Sequence, residues 1–152
     1  MPKFYMMVGV PGSGKSTWIK NYNQNALVAS SDAYIDMVAK NQDSTYSQVF
    51  DANIKAANNY ALGIARQAFD FKLDLIWDQT NLTAKSRKEK LKLVPDSYEK
   101  IAVVFPIPDE KELARRLANR PGKTIPDNVM KSMIANFTPP TTDEGFDRII
   151  NV

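Results

Sequence analysis

Lys3-Phe-Tyr-Met-Met-Val8, followed at once by Gly9-Val-Pro-Gly-Ser-Gly-Lys-Ser16, decides the reading of this chain. The first stretch is an apolar run of strand length, and the second satisfies G-x-x-x-x-G-K-[ST]. Its three glycines let the backbone turn tightly with N–H groups pointing inward, where they and the start of the next helix stabilise phosphates. Gly9, Pro11, Gly12, Ser13, Gly14, Lys15, Ser16 and Thr17 are therefore expected to hold ATP. In such a loop Lys15 reaches the β- and γ-phosphates, and the Ser16 hydroxyl binds Mg²⁺.

Beyond this turn, apolar runs alternate with helical patterns, as in βαβ units that build a parallel sheet. Strands are expected at Lys3–Val8, Ala26–Ser30, Leu73–Trp77, Ile101–Phe105 and Arg148–Val152. Helices are expected over about 13–22, 32–40, 47–71, 83–93, 110–119 and 127–137. Ser31 is placed to cap the second, and Pro126 suits the start of the last. Val49, Phe50, Ile54, Ala57, Ala61, Ile64, Ala65 and Ala68 draw a helical stripe along the third. The expected fold is a three-layer α/β P-loop NTPase of the nucleoside-kinase-like kind, with a mostly parallel five-stranded sheet and residues 1–152 in one domain.

Composition narrows the chemistry. The 152 residues are 43% hydrophobic and 24% charged, an ordinary globular balance. With no cysteine, disulfides and thiolate metal sites are excluded; with no histidine, proton transfer falls to carboxylates, lysine or tyrosine. Met1–Val8 is too short an apolar run for a secretion signal, and nothing approaches the roughly 18 apolar residues of a membrane span. A cytoplasmic location away from membranes is expected. The net charge is +3, but residues 85–123 hold eleven basic against six acidic side chains. That local excess suits either a phosphate-rich partner or a solvated helical surface, and charge alone does not choose.

In open α/β sheets, ligands bind outside the carboxyl ends of the strands. Asp32 follows the second strand and Asp78 closes the third, so both are expected on the rim from which the glycine-rich turn departs. Asp78, after Leu73-Asp-Leu-Ile-Trp77, reads as a Mg²⁺-holding carboxylate, alternatively as a turn residue. Asp32 reads as a general base for an attacking hydroxyl, alternatively as a helix cap. Gln79-Thr-Asn81 adds donors and acceptors at the same rim, for ordering loops or touching substrate.

A basic stretch, Arg115-Arg-Leu-Ala-Asn-Arg-Pro-Gly-Lys123, lies between the last two helices. Helical spacing puts Arg116 and Arg120 on one face, and Pro121-Gly122 breaks the helix, so a lid is expected over about 115–125. Guanidinium groups there would neutralise charge on a transferring phosphoryl and exclude water. Farther back, Lys85, Arg87, Lys88, Lys90 and Lys92 form a stripe able to track a nucleic-acid backbone. Arg87 shares a face with Ala84 and Leu91, which leaves open a half-buried role beside an aspartate.

Taken together, these motifs resemble the kinase domain of polynucleotide 5′-hydroxyl kinases over nearly the whole chain. The resemblance rests on Gly9–Trp18, Ser31-Asp32, Asp78-Gln-Thr-Asn81, Arg87, Arg116 with Arg120, Ile125–Met130, and the tail from Phe137-Thr-Pro-Pro to Glu144-Gly-Phe146. It implies transfer of the ATP γ-phosphate to a nucleic-acid 5′ end and the sheet order 2-3-1-4-5. Asp32 would be the base, Asn81 and Arg87 would lie beside the acceptor, and Lys15, Arg116 and Arg120 would stabilise charge. Ser16 and Asp78 would hold Mg²⁺. Ile35 departs from the pattern, standing where some members carry an arginine that holds substrate phosphate. In members with the shorter D-T-N, the aspartate aligns with Gln79. The Asp-Gln-Thr-Asn element and Asn136-Phe-Thr-x-Pro are also similar to the nucleotide-binding domain of the nuclear ribonucleoprotein U family. That second likeness implies an RNA-associated ATP-binding module with little or no kinase activity; a small-molecule P-loop kinase, acting on a nucleotide or sugar, is a further alternative.

Overall fold

A computed structural model describes residues 1–22 and 25–152. Five strands form one sheet: β1 Lys3–Val8, β2 Ala26–Ser30, β3 Asp74–Asp78, β4 Glu99–Val104 and β5 Arg148–Asn151. Their order is β2-β3-β1-β4-β5, as the family likeness implied, and every neighbouring pair is parallel. The helices are α1 Lys15–Asn21, α2 Ser31–Asn41, α3 Tyr46–Phe71, α4 Ala84–Leu91, α5 Glu110–Ala118 and α6 Asp127–Asn136, followed by a 3₁₀ turn at Thr142–Glu144. Among the described residues no helix is long and apolar enough to cross a membrane.

β1 lies at the centre because its apolar run fills both faces, as a parallel strand covered by helices on each side requires. Side chains alternate across the sheet. Phe4, Met6 and Val8 therefore pack with Ala61, Ala65 and Ala68 of α3, while Tyr5 and Met7 pack with Trp18, Ile19 and Tyr22 around α1. The alanine stripe lets α3 lie close to the sheet. A third apolar cluster joins Val10 of the glycine-rich turn to Leu113 and Leu117 of α5 and Met130 of α6. This contact seats the basic segment over the turn.

Local chemistry moves several boundaries. α3 begins at Tyr46 rather than Ser47, because Thr45 and Gln48 form a reciprocal capping box. β3 runs from Asp74 through Asp78, one residue later than the apolar pattern indicates. Leu73 instead ends the helix turn, with its N–H donating to Ala68 O at 2.9 Å and its carbonyl accepting from the Tyr98 hydroxyl at 2.6 Å. β4 starts two residues early, fixed by the Glu99 N–H donating to Pro2 O at 2.9 Å.

Arg87 corrects the sequence expectation. Its side chain is fully buried, which does not suit a residue lying beside an acceptor. It pairs with a glutamate, not an aspartate: Nε–H and Nη2–H donate to the two Glu144 oxygens at 2.7 and 3.2 Å, and Nη1–H donates to Asn81 O at 3.0 Å. The sequence pattern missed this because Glu144 is 57 residues away, on a 3₁₀ turn formed by the tail. Burial works against the Glu144 anion, but the bonds from Arg87 and the Thr141 N–H hold its carboxyl below the usual range. Removing one partner leaves an uncompensated buried charge. Glu144→Ala, which strands the fully buried guanidinium, is expected to lose about 3–5 kcal/mol of unfolding free energy in urea titration. A loss below about 1 kcal/mol, the size of a surface pair, would contradict this account.

Candidate active site

The glycine-rich turn closes on itself before it meets any ligand. Gly9 N–H donates to Thr80 O at 3.0 Å, tying the start of the turn to the loop after β3. Gly9 is required by crowding: a Cβ there would sit 2.5 Å from Ser13 Oγ and 3.0 Å from Phe105 Cβ. Gly14, with φ at 108°, caps α1 in a left-handed conformation that other residues rarely adopt. Lys15 Nζ folds back to donate to Gly9 O at 2.8 Å and Val10 O at 2.9 Å.

Two acids face this turn from the rim of the sheet. Ser30 and Asp78 are level in the β2–β3 register, so Asp32 in the first turn of α2 lies beside the end of β3. Burial pushes the Asp78 carboxyl up, and neighbouring Asp32 adds to this; Lys15 and the Ser30 hydroxyl oppose it. Burial brings Lys15 down to about 8, against the pull of Asp78 and Asp32 and with a contribution from Arg120. These are the signs of one compact group of mutually interacting charges.

The other wall is basic. Leu113 and Leu117 of α5 press against Gly12, within 3.2 and 3.4 Å of where its Cβ would be. That packing brings Arg116 over the turn, where Nη1–H donates to Gly12 O at 3.0 Å and Nε–H to Glu112 at 2.9 Å. Arg115 points elsewhere, donating to Glu112 at 2.6 and 3.0 Å. Hydrogen bonds from Arg115 and then Arg116 hold the Glu112 carboxyl down to about 2. Arg120 Nη1 and Ser13 Oγ are buried with no hydrogen-bond partner. Buried polar groups are nearly always paired, so two orphans, one on the turn and one on the basic segment facing it, mark a place for an oxygen-rich ligand.

These surfaces enclose a cleft of about 1490 Å³ lined by the turn, Asp32, Asp78, Arg116, Arg120 and the first turns of α3. Its volume exceeds the usual small-ligand range of roughly 300–1,000 Å³, so it has room for a nucleotide and a second reactant. No cluster of three or more acidic side chains capable of caging a metal occurs among the described residues. The Ser16 hydroxyl and the Asp78 carboxylate, which both line the cleft, are oxygen donors of the kind Mg²⁺ takes alongside waters and substrate phosphates.

A family model for the AAA domain matches residues 4–140. The chain belongs to that family. Over 155 aligned residues this AAA domain is 28% identical to heterogeneous nuclear ribonucleoprotein U-like protein 2 of Mus musculus, spanning 95% of the domain and 20% of that protein. It is 23% identical to L-seryl-tRNA(Sec) kinase of Methanococcus maripaludis, spanning 93% of the domain and 55% of that enzyme. The domain thus covers less than two thirds of either relative. Its fold matches a chain of the Pnkp1/Rnl/Hen1 RNA repair complex with a TM-score of 0.65 at 24% identity, covering 96% of the domain and 46% of that chain. The domain has the P-loop kinase fold, which implies nucleotide binding.

Within the AAA domain, Lys15, Ser16, Asp32, Asp78, Arg116 and Arg120 all line the one cleft. Asn81 borders it but is 2% exposed; its amide donates to Met7 O at 2.7 Å, and its oxygen accepts from Lys90. Asn81 therefore fastens the loop after β3 to the strand that feeds the turn.

Among the lining residues absent from the expected site set are Tyr46, Lys90 and Lys123. The Tyr46 hydroxyl donates to Asp32, and Lys123 pairs with Asp36 at 3.0 Å. Neither contact leaves a signal in sequence spacing. Lys90 lies 5.7 Å from the centre of the Trp77 ring, and burial lowers it to about 8. Its place in the basic stripe from Lys85 to Lys92 was the available clue. Acylation of Lys15 and Lys90 is expected to rise steeply as pH climbs through about 8, well before exposed lysines near about 10.4. ATP should protect Lys15. Peptide mass spectrometry after pulse labelling checks this, and labelling of Lys15 indifferent to ATP would contradict it.

Proposed function

We propose that this AAA domain transfers the γ-phosphate of ATP to the 5′-hydroxyl of a polynucleotide. The observation that carries the chemistry is Asp32 on the rim of the cleft that holds Lys15, Arg116 and Arg120. In this reading ATP lies along the Gly9–Thr17 turn. Asp32 removes the proton of the acceptor hydroxyl, whose oxygen attacks the γ-phosphorus; the bond to the β,γ-bridging oxygen breaks and ADP leaves. Lys15, Arg116 and Arg120 stabilise charge on the transferring group, with the 115–125 segment acting as a lid that keeps water out. Mg²⁺, held by Ser16 and Asp78, would neutralise phosphate charge. The orphaned Arg120 and Ser13 atoms support the ATP part of the reading.

The polynucleotide acceptor is supported by the family resemblance and by the nucleic-acid setting named for the relatives above. The reading places the reaction in the cytoplasm. A second reading, a small hydroxyl compound as acceptor, is favoured by one observation. Ile35 is fully buried between α2 and α3, so no guanidinium stands one turn after Asp32 to grip an acceptor phosphate.

Radiolabelled ATP offered with 5′-hydroxyl oligonucleotides, nucleosides and sugars separates the readings. Label on the oligonucleotide is the expected result. Label on a small compound supports the second reading, and ATP binding without transfer would leave a nucleotide-binding module. Asp32→Asn is expected to keep ATP affinity while slowing turnover about 10²- to 10⁴-fold, the usual worth of a positioned base. Full activity in that variant would remove Asp32 from the role.

A further inference from the structure

The strongest feature outside the reading above is the surrounding of Asp32. Its side chain stands at the exposed edge of α2, where a carboxylate rotor is broad and has no intrinsic orientation. One neighbour removes that freedom: the Tyr46 hydroxyl donates to Asp32 Oδ1. Only Oδ2 then remains fully available to an incoming hydroxyl. Burial and the bond to Asp32 push the Tyr46 phenol far up, so the tyrosine stays a donor at any working pH.

Tyr46 is also where the basic segment comes down. Lys123 Nζ lies 4.8 Å from the centre of the Tyr46 ring and reaches Asp36 at 3.0 Å. On the backbone, Ser47 N–H donates to Gly122 O at 3.0 Å, and Thr124 N–H donates to Ser47 Oγ at 2.9 Å. Phe50 supports the ring from behind, with centroids 5.6 Å apart. The segment that carries Arg120 is thus attached at the same turn of α3 that orients the base.

We infer that Tyr46 is a positioning residue that couples seating of the 115–125 segment to the orientation of Asp32. The inference rests on the phosphotransfer reading above. When Gly122, Lys123 and Thr124 dock, they fix the first turn of α3 and the Tyr46 ring. The hydroxyl then turns the base toward the acceptor as Arg120 reaches the phosphates. Without docking, base and cation are not set together.

Tyr46→Phe, Lys123→Gln, the double variant and each change in the Asp32→Asn background test the coupling, using whichever acceptor the wild type labels. Tyr46→Phe keeps the ring contacts and is expected to melt within a few degrees of wild type. It should lower kcat about tenfold or more with KM for ATP within about twofold, the pattern of an interaction made at the reacting centre. Combined with Lys123→Gln, the loss should fall short of the product of the single losses, as for residues that act as a unit. In the Asp32→Asn background, Tyr46→Phe should change the residual rate by less than about twofold, since its route of action is gone.

An equal penalty with and without Asp32, independent multiplication with Lys123→Gln, or wild-type kcat in Tyr46→Phe would each overturn the inference while leaving phosphotransfer intact. Should Tyr46→Phe fail to fold, the Lys123→Gln cycle against Asp32→Asn carries the same test. A folded wild type that binds ATP but labels no acceptor defeats the phosphotransfer reading itself, and the inference with it.

Discussion

A lysine ammonium buried inside a turn of backbone requires negative charge in front of it, and the Gly9–Ser16 turn is built around that requirement. Lys15 spends its donors on the carbonyls of Gly9 and Val10, and burial lowers its proton affinity. Arg116 rests on the carbonyl of Gly12, and Arg120 keeps a buried nitrogen without a partner. Backbone carbonyls are a provisional answer to two of these cations and the third has none; a polyphosphate in front of the turn would satisfy all three together. The same electrostatics explains why Asp32 and Asp78 tolerate each other on one rim, since both are attracted by Lys15.

The rest of the fold holds these charges still. β1 delivers the turn, and its position between β3 and β4 leaves it little freedom. Asn81 clamps the loop after β3 to Met7, Gly9 bonds Thr80, and Arg87 with Glu144 locks the same loop from beneath. Leu113 and Leu117 carry α5 onto Gly12, so the register of one apolar contact decides where Arg116 and Arg120 arrive. Positioning to within fractions of an ångström is what phosphoryl transfer demands of a protein, since the chemistry offers few other levers.

Much of this was legible in the sequence for a physical reason. β1 and the turn after it follow from local rules: apolar period, glycine freedom, and a lysine followed by a hydroxyl. Asp32 and Asp78 were legible because strand ends in a parallel sheet share a rim. What stayed hidden depends on chain segments that meet only after folding. Arg87 looked available because its partner Glu144 is far along the chain, and Asn81 looked like a substrate contact because its acceptor is a backbone carbonyl of β1. Tyr46 could not be read because the α2–α3 turn brings it back over Asp32 from 14 residues away, with no periodicity to announce it.

In the proposed reading the acceptor side of the cleft differs in kind from the donor side: Tyr46 and Phe50 wall it beside Asp32, and Ile35 is withdrawn into the α2–α3 core. The donor side remains the foundation, and it is open to a direct measurement. Calorimetric titration of the folded protein with Mg²⁺–ATP should give one binding event, and Lys15→Met should abolish it while leaving the melting transition of the free protein in place. No binding by the wild type, or undiminished binding by Lys15→Met, would contradict the account.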